Sequence, residues 1–383
     1  MTDLATARQI LDTLIGFDTT SRNSNLALIE WVEAYLARHG VESQRVPNED
    51  GRKANLFATC GPKVEGGVIL SGHTDVVPID GQDWSSDPWT VREADRKLFG
   101  RGVADMKGFI ALALAFVPRF VAGKLPVHLA LSYDEEVGCQ GAPAMIARMA
   151  QDIPSPRLAI VGEPSLMGII TGHKGIAVHE VTVRGHAAHS SLVDHGISAN
   201  AVAVQLMHEL LALAEDLRVR ADPDNGFDPP QATLTIGVME GGTASNILAG
   251  HARFQFDLRC PPGEDAAAIL APFKARCEAL DAELKSRFPD AGVQVEQHAG
   301  TPPMTPQGSE DAVAFVRALT GENSPPGQVA FAAEGGQFQA VGFPTVICGP
   351  GSIEQAHQPD EWIALSELEK GATFMQRLAE RLG

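Results

Sequence analysis

Five short runs dominate the pattern: Asn55–Thr59, Gly67–Ser71, Val127–Ser132, Arg157–Val161 and Thr345–Cys348 are β-rich, and their apolar residues run on rather than alternate. A strand apolar on both faces must be covered on both faces, which is the situation inside a largely parallel sheet. Helical spacing of apolar residues lies between or before several of them, over Leu4–Ile15, Asn25–His39, Met106–Phe120 and Ala142–Ala150. That order predicts an α/β sandwich, a mostly parallel sheet with helices on both sides.

The middle of the chain reads differently. Ile176–Arg184 alternates, Ser198–Leu217 is a long amphipathic stretch, and Gln231–Val238 and His251–Leu258 read as strands. Asp265–Phe288 is again helical and Val293–Gln297 again strand-like. This β-α-β-β-α-β order predicts a small α+β unit. Buried-strand and helix character returns after Thr301. The expected organisation is therefore one α/β domain built from residues 1–175 and 299–383, with residues 176–298 inserted.

Acids and histidines collect where these strands end. Gly72-His73-Thr74-Asp75 follows the second run, Asp134-Glu135-Glu136 the third and Gly162-Glu163-Pro164 the fourth. His357 lies in a loop after the fifth, and Asp105 just before the apolar helix that starts near Met106. Open α/β sheets bind ligands at the carboxyl ends of their strands. Two histidines with several carboxylates form a mixed nitrogen and oxygen set suited to Zn²⁺, Co²⁺ or Mn²⁺ rather than Ca²⁺. Each residue alone has an ordinary explanation. Asp105 is a plausible helix cap and Glu135-Glu136 a solvated pair. Solvated faces, however, have no reason to gather at strand ends.

These motifs carry a resemblance. Ser71–Pro78, Gly100–Gly108, Asp134–Gly138, Gly162–Pro164, Gly349–Ser352 and Ala356–Glu361 together resemble the dinuclear-zinc amidohydrolase and exopeptidase family. That family includes acetylornithine deacetylase, succinyl-diaminopimelate desuccinylase, aminoacylase and glutamate carboxypeptidase. Within it, Ser132–Cys139, Gly172–Gly175 and Ser352–His357 are most similar to the acetylornithine deacetylase subgroup. The resemblance implies two divalent ions, Zn²⁺ first and Co²⁺ as an alternative. His73 and Glu163 would hold one, Glu136 and His357 the other, and Asp105 would bridge. Asp75 would take the proton on the second ring nitrogen of His73, and Glu135 would be the general base. The implied chemistry is metal-assisted hydrolysis of the amide in a small N-acyl amino acid, N2-acetyl-L-ornithine first.

The inserted segment would be a lid and dimerisation domain. Gly185–Ser191 and Gly241–Asn246 resemble the family's lid motifs, implying that His189 and Asn246 reach the active site of the other subunit in a homodimer. Arg259 matches an arginine that binds the α-carboxylate of the substrate. His186, His195 and His251 are read as ordinary surface or turn residues. The proline often found after the lid asparagine is replaced by Ile247-Leu248-Ala249, and Ala333–Phe338 matches the subgroup only loosely.

Composition narrows the partners. With 30 basic and 48 acidic residues the formal net charge is −18, which repels phosphate backbones and argues against nucleic acid. No apolar run reaches the ~18 residues a membrane span needs. The five cysteines (Cys60, Cys139, Cys260, Cys277 and Cys348) are scattered and form no Cys-x-x-Cys pair, which suits a reducing compartment. The stretch Met1–Gln9 has no signal-type apolar core. A soluble cytoplasmic enzyme is the expectation.

Overall fold

The structure is a computed structural model and describes residues 3–383. Contacts divide the chain into two compact units. One comprises the chain up to His173 with Met304–Gln328 and Ala333–Gly383; the other comprises Lys174–Pro303 with Val329–Ala332.

The first unit opens with helices α1 (Asp3–Ile15) and α2 (Leu26–Arg38) and strands β1 (Ser43–Pro47), β2 (Ala54–Cys60) and β3 (Val68–His73). A hairpin, β4 (Arg92–Ala94) and β5 (Lys97–Phe99), precedes helices α3 (Lys107–Ala115) and α4 (Val117–Val121). Then come β6 (Val127–Ser132), α5 (Ala142–Asp152), β7 (Leu158–Pro164) and β8 (Ile170–His173). The second unit contains β9 (Gly175–Arg184), α6 (Ala199–Val219), β10 (Thr233–Gly241), β11 (His251–Cys260), α7 (Ala266–Arg287) and β12 (Gly292–Thr301). The chain ends with α8 (Glu310–Thr320), β13 (Gly327–Val329), α9 (Gly335–Ala340), β14 (Thr345–Gly349), β15 (Trp362–Ala364) and α10 (Leu365–Leu382).

The large sheet runs β1-β2-β6-β3-β7-β14-β8-β13. Its centre, β6-β3-β7-β14, is parallel, while β1, β2 and β8 pair antiparallel at the flanks. Every residue of β3, β6, β7 and β14 is buried, as their continuous apolar runs require. The expected helix Met106–Phe120 is instead two, because Pro118 sits in the first turn of α4 and no interior turn of a longer helix accepts it. Helix α3 is buried over all nine residues, between β3 and β7 on one side and α1 and α10 on the other. Lys107 is buried there. Its Nζ donates to the carbonyls of Leu14 (3.1 Å) and Phe17 (2.9 Å), at the C-terminal end of α1, and burial lowers its pKa to about 7.

The second unit is an antiparallel sheet, β10-β11-β9-β12, with α6 and α7 packed against it. Strands β9 and β11 alternate between buried and half-buried residues, the signature of a sheet covered on one face. Its core includes Val181, Leu206, Phe254, Phe256 and Phe273. Ser198 caps α6 by accepting from the Ala201 amide, and Asp265 caps α7 by accepting from the Ala267 amide at 2.8 Å.

One buried group ties the sheet to pH. His128 on β6 is fully buried, with Nδ1 2.9 Å from the Thr59 hydroxyl, and desolvation lowers its pKa from 6.5 to about 4. The unfolded chain therefore takes up a proton below pH 6.5 that the native state refuses until about pH 4. Stability from this residue is complete above pH 6.5 and is lost as pH falls through that window, by up to about 1.4 kcal/mol per pH unit. His128→Asn keeps an acceptor for Thr59 and removes the linkage. Denaturant unfolding at pH 7 and pH 4.5 should show a steeper loss for wild type than for His128→Asn.

Candidate active site

Register places the site. In the parallel pairs Ser71 lies beside Val161 and His73 beside Ser132. His73 and Glu163, each two residues beyond the Ser71–Val161 pair, therefore reach the same edge of the sheet, next to the Asp134–Glu136 turn. Gly162 permits this locally: a Cβ there would lie 2.1 Å from the Phe109 ring of α3. Asp105 arrives from the loop before α3, and the peptide bond that follows it is cis. His357 arrives on the loop after β14, with φ +63°, a conformation that a non-glycine residue rarely holds without support.

The side chains converge. His73 Nε2 is 3.0 Å from Asp105 Oδ1, and His357 Nε2 is 3.3 Å from Asp105 Oδ2, so the two oxygens of one carboxylate face two different histidines. His357 Nε2 is also 3.0 Å from Glu136, and His73 Nε2 is 3.9 Å from Glu163. Ligand atoms of His73, Glu135 and Glu163 lie within 4.8 Å of one another, and so do those of His73, Asp105 and Glu136. His73 Nδ1 is 2.9 Å from the backbone carbonyl of Asp75. A carbonyl only accepts, so Nδ1 carries the proton and Nε2 of the neutral ring keeps its lone pair for a cation.

The electrostatics are unbalanced without such a cation. Burial raises the Glu163 and Glu135 carboxyls well above the usual range, and neighbouring carboxylates add to the shift; Glu136 is raised for the same reasons. Burial also opposes ionisation of Asp105, but hydrogen bonds from His357 and His73 hold it well below that range. Hydrogen bonds to Asp105 and Glu136 push His357 up to about 10. Burial works against charge on His73, yet Asp105, Asp75, Glu135 and Glu163 together raise it well above 6.5. Glu163 Oε1 is buried with no hydrogen-bond partner. Four carboxylates, one of them with an orphaned oxygen, and two imidazoles fit a site for divalent cations of the Zn²⁺ or Co²⁺ type.

Asp75 faces His73 with two of its oxygens. Its carboxylate is 3.6 Å from His73 Nδ1, and the closer contact to that nitrogen is its own backbone oxygen. The carboxylate also accepts from the Ser21 hydroxyl (2.7 Å) and from the backbone amides of Glu135 (3.2 Å) and Glu136 (3.3 Å). It thus holds the turn that presents two of the acids. Lys53 pairs with Asp134 at 2.5 Å in the same turn. Cys139, buried and at φ +55°, points its thiol at Glu135 Oε1, 3.3 Å away.

Sequence reasoning missed Ser21, Lys53, Cys139 and Glu361 as parts of the site. Glu361 stands inside the Ala356–Glu361 motif, so its position was visible but its task was not. Ser21 and Lys53 are 54 and 81 residues from their partners, and no local pattern signals them.

His189, Asn246 and Arg259 lie in the second unit. The first two are neighbours: the Ser190 amide donates to the Asn246 carbonyl at 2.9 Å, and His189 bridges to Ile247. His189 is exposed and its Nδ1 accepts from the Ser191 amide at 3.2 Å, which leaves Nε2 as the protonated nitrogen of the neutral ring. Arg259 pairs with Asp257 at 2.7 Å on β11, apart from the other two. His186 stacks on Phe288 at 4.0 Å.

Comparison with known proteins agrees with this geometry. Residues 69–381 match the model of peptidase family M20/M25/M40. An acetylornithine deacetylase from Proteus mirabilis is 34% identical over 385 residues, covering 97% of this chain and 95% of the relative. A metallo-carboxypeptidase of the M20 family from Sulfolobus solfataricus has the same fold, with a TM-score of 0.76, 15% identity and 98% of each chain covered. So does a dinuclear metal-binding M20 peptidase from Bacillus subtilis, with a TM-score of 0.65, 16% identity and 99% of each chain covered. With the motifs intact over nearly its whole length, the chain belongs to peptidase family M20/M25/M40 and is a metallohydrolase of amide bonds.

Proposed function

We propose that this chain removes the acetyl group of N2-acetyl-L-ornithine, yielding L-ornithine and acetate, at a centre of two divalent ions, zinc in the first instance. The observation that carries the two-ion reading is Asp105, whose two carboxylate oxygens face His73 at 3.0 Å and His357 at 3.3 Å. The substrate reading draws on the 34% identity to an acetylornithine deacetylase over almost the full length. His73 and Glu163 would hold one ion, Glu136 and His357 the other, and Asp105 would serve both.

When bound, the ions would supply Lewis-acid polarisation of the acyl carbonyl and would make the attacking water more acidic. Glu135 takes the proton of the attacking water and delivers it to the nitrogen of the leaving amine. The Cys139 thiol steadies one oxygen of Glu135, and Asp75 fixes its backbone. His189 offers its Nε2 proton to the developing oxyanion. Asn246 contacts the substrate, and Arg259 binds the α-carboxylate with its fork of donors.

The second unit pairs with that of another copy. Strand β10 is one of the two edges of its sheet and is exposed over most of its length, with Met239 65% and Val238 43% exposed. Helix α6, packed on β10, exposes Val204, Leu211 and Val219. An unpaired strand edge beside apolar side chains is a surface that a second copy would cover. His189 and Asn246 then serve the centre of the other subunit.

Three measurements test this reading. Zinc- or cobalt-loaded protein should hydrolyse N2-acetyl-L-ornithine in preference to N-succinyl-diaminopimelate, N-acetylcitrulline and dipeptides. Preference for any of these over acetylornithine removes the substrate assignment. Glu135→Ala should retain both ions by elemental analysis while kcat drops by about 10²–10⁴-fold; near-normal turnover removes Glu135 from its role. Mixing His189→Ala with Glu135→Ala protein should restore activity to hybrid dimers. Hybrids that stay inactive rule out action across subunits.

A further inference from the structure

One carboxylate outside the proposed ligand set is fully engaged around it. Glu361 is 1% exposed, and its Oε2 accepts from Arg101 Nη1 at 2.8 Å and the Gly102 amide at 2.9 Å. Its Oε1 accepts from the Ala104 amide at 2.9 Å and the Asp105 amide at 3.1 Å. A carboxylate has about four acceptor positions, and all are given to the loop that ends in Asp105.

Arg101, also 1% exposed, continues the chain of contacts. Its Nη2 donates to Gln82 Oε1 at 2.6 Å, and Trp84 Nε1 donates to the same oxygen at 3.0 Å. Gln82 Nε2 donates to the backbone carbonyl of His357 at 3.0 Å. The amide cannot be turned over. Arginine and tryptophan only donate, so the oxygen must face them, and the NH₂ must face the carbonyl. The neighbouring Asp360 accepts from the amide and hydroxyl of Ser85, both at 2.9 Å, which fastens the same loop to the segment that carries Gln82. An unbroken path therefore joins the backbone of Asp105 to that of His357. The residue it supports is the one with φ +63° and a side chain 49% exposed, so little packing fixes it otherwise. His73 and Glu163, by contrast, are positioned by the register of β3 and β7.

We propose that Glu361, Arg101 and Gln82 are positioning residues that set the spacing of Asp105 and His357, and so the affinity of the ion held by His357 and Glu136. This rests on the reading of those residues as metal ligands. Of the two ligand backbones Gln82 bonds only that of His357, and it meets the Asp105 side through the Arg101 side chain alone, so its loss weakens chiefly one ion. Glu361 holds the shared Asp105, so its loss weakens both.

The test is titration of chelator-stripped protein with Co²⁺, followed by visible absorption and calorimetry, in wild type, Gln82→Ala, Gln82→Glu and Glu361→Gln. Gln82→Glu keeps an oxygen for Arg101 and Trp84 but turns an acceptor toward the His357 carbonyl. Wild type should bind two Co²⁺. Both Gln82 variants should weaken one binding step by about 10–100-fold and leave the other within threefold. Glu361→Gln should weaken both steps. Melting of the metal-free proteins reports folding; if Glu361→Gln does not fold, the half-buried Gln82 carries the test. A Gln82→Glu protein that binds like wild type, or Gln82 variants that weaken both steps equally, overturns the proposal. Wild type that binds fewer than two Co²⁺ overturns the ligand reading itself, and the proposal with it.

Discussion

Asp105 is the carboxylate on which the rest of the site depends. It turns one oxygen to each of two imidazoles and is buried where Glu135, Glu136 and Glu163 also converge. So many acids in so little water are tolerable only with compensating positive charge. The histidines supply part of it, and the donor set suits divalent ions for the remainder. The parallel register of β3, β6 and β7, the Asp75 hold on the 134–136 turn and the Glu361 hold on the 101–105 loop all bring these groups together.

Two kinds of support can be distinguished. His73 and Glu163 belong to strands in the middle of a sheet, where backbone pairing and a buried core set their positions. Asp105, Glu136 and His357 sit on loops, and loops need other anchors. Asp75, Lys53 and Ser21 serve the turn with Glu136, while Glu361, Arg101 and Gln82 serve the loops of Asp105 and His357. These anchors are largely buried polar groups whose partners are backbone amides and carbonyls. Their contribution is geometric definition more than net stability, because desolvation offsets much of what such pairs gain.

The second unit follows a different logic. Its sheet is covered by helices on one side, and its edge strand β10 is left open with apolar side chains beside it. No helix among the described residues is long and apolar enough to cross a membrane. The occupant proposed for that edge is a second copy, on the strength of its open strand and the apolar side chains beside it, and it would bring His189 and Asn246 with it.

Much of this was legible from the chain alone. Continuous apolar runs announced central parallel strands, and the structure places β6 at Val127–Ser132, as read. The alternation over 176–184 announced a strand of a separate α+β unit, and acids placed after strands announced a site. What the sequence could not convey were contacts between distant segments. Ser21 with Asp75, Lys53 with Asp134 and Arg101 with Glu361 join residues 54, 81 and 260 positions apart, and each partner taken alone is an ordinary polar residue. The short hairpin β4–β5 and its partner β15 escaped for a related reason: three-residue strands carry too little periodicity to register. Asp75 shows the boundary most clearly. Its spacing from His73 pointed to a role at that ring, and only tertiary structure decided that its backbone oxygen meets Nδ1 most closely while its carboxylate, 3.6 Å away, also holds the turn bearing Glu135 and Glu136. Local pattern determines which residues reach the edge of the sheet; the hydrogen-bond partners available once the chain has closed decide which atom of each does the work.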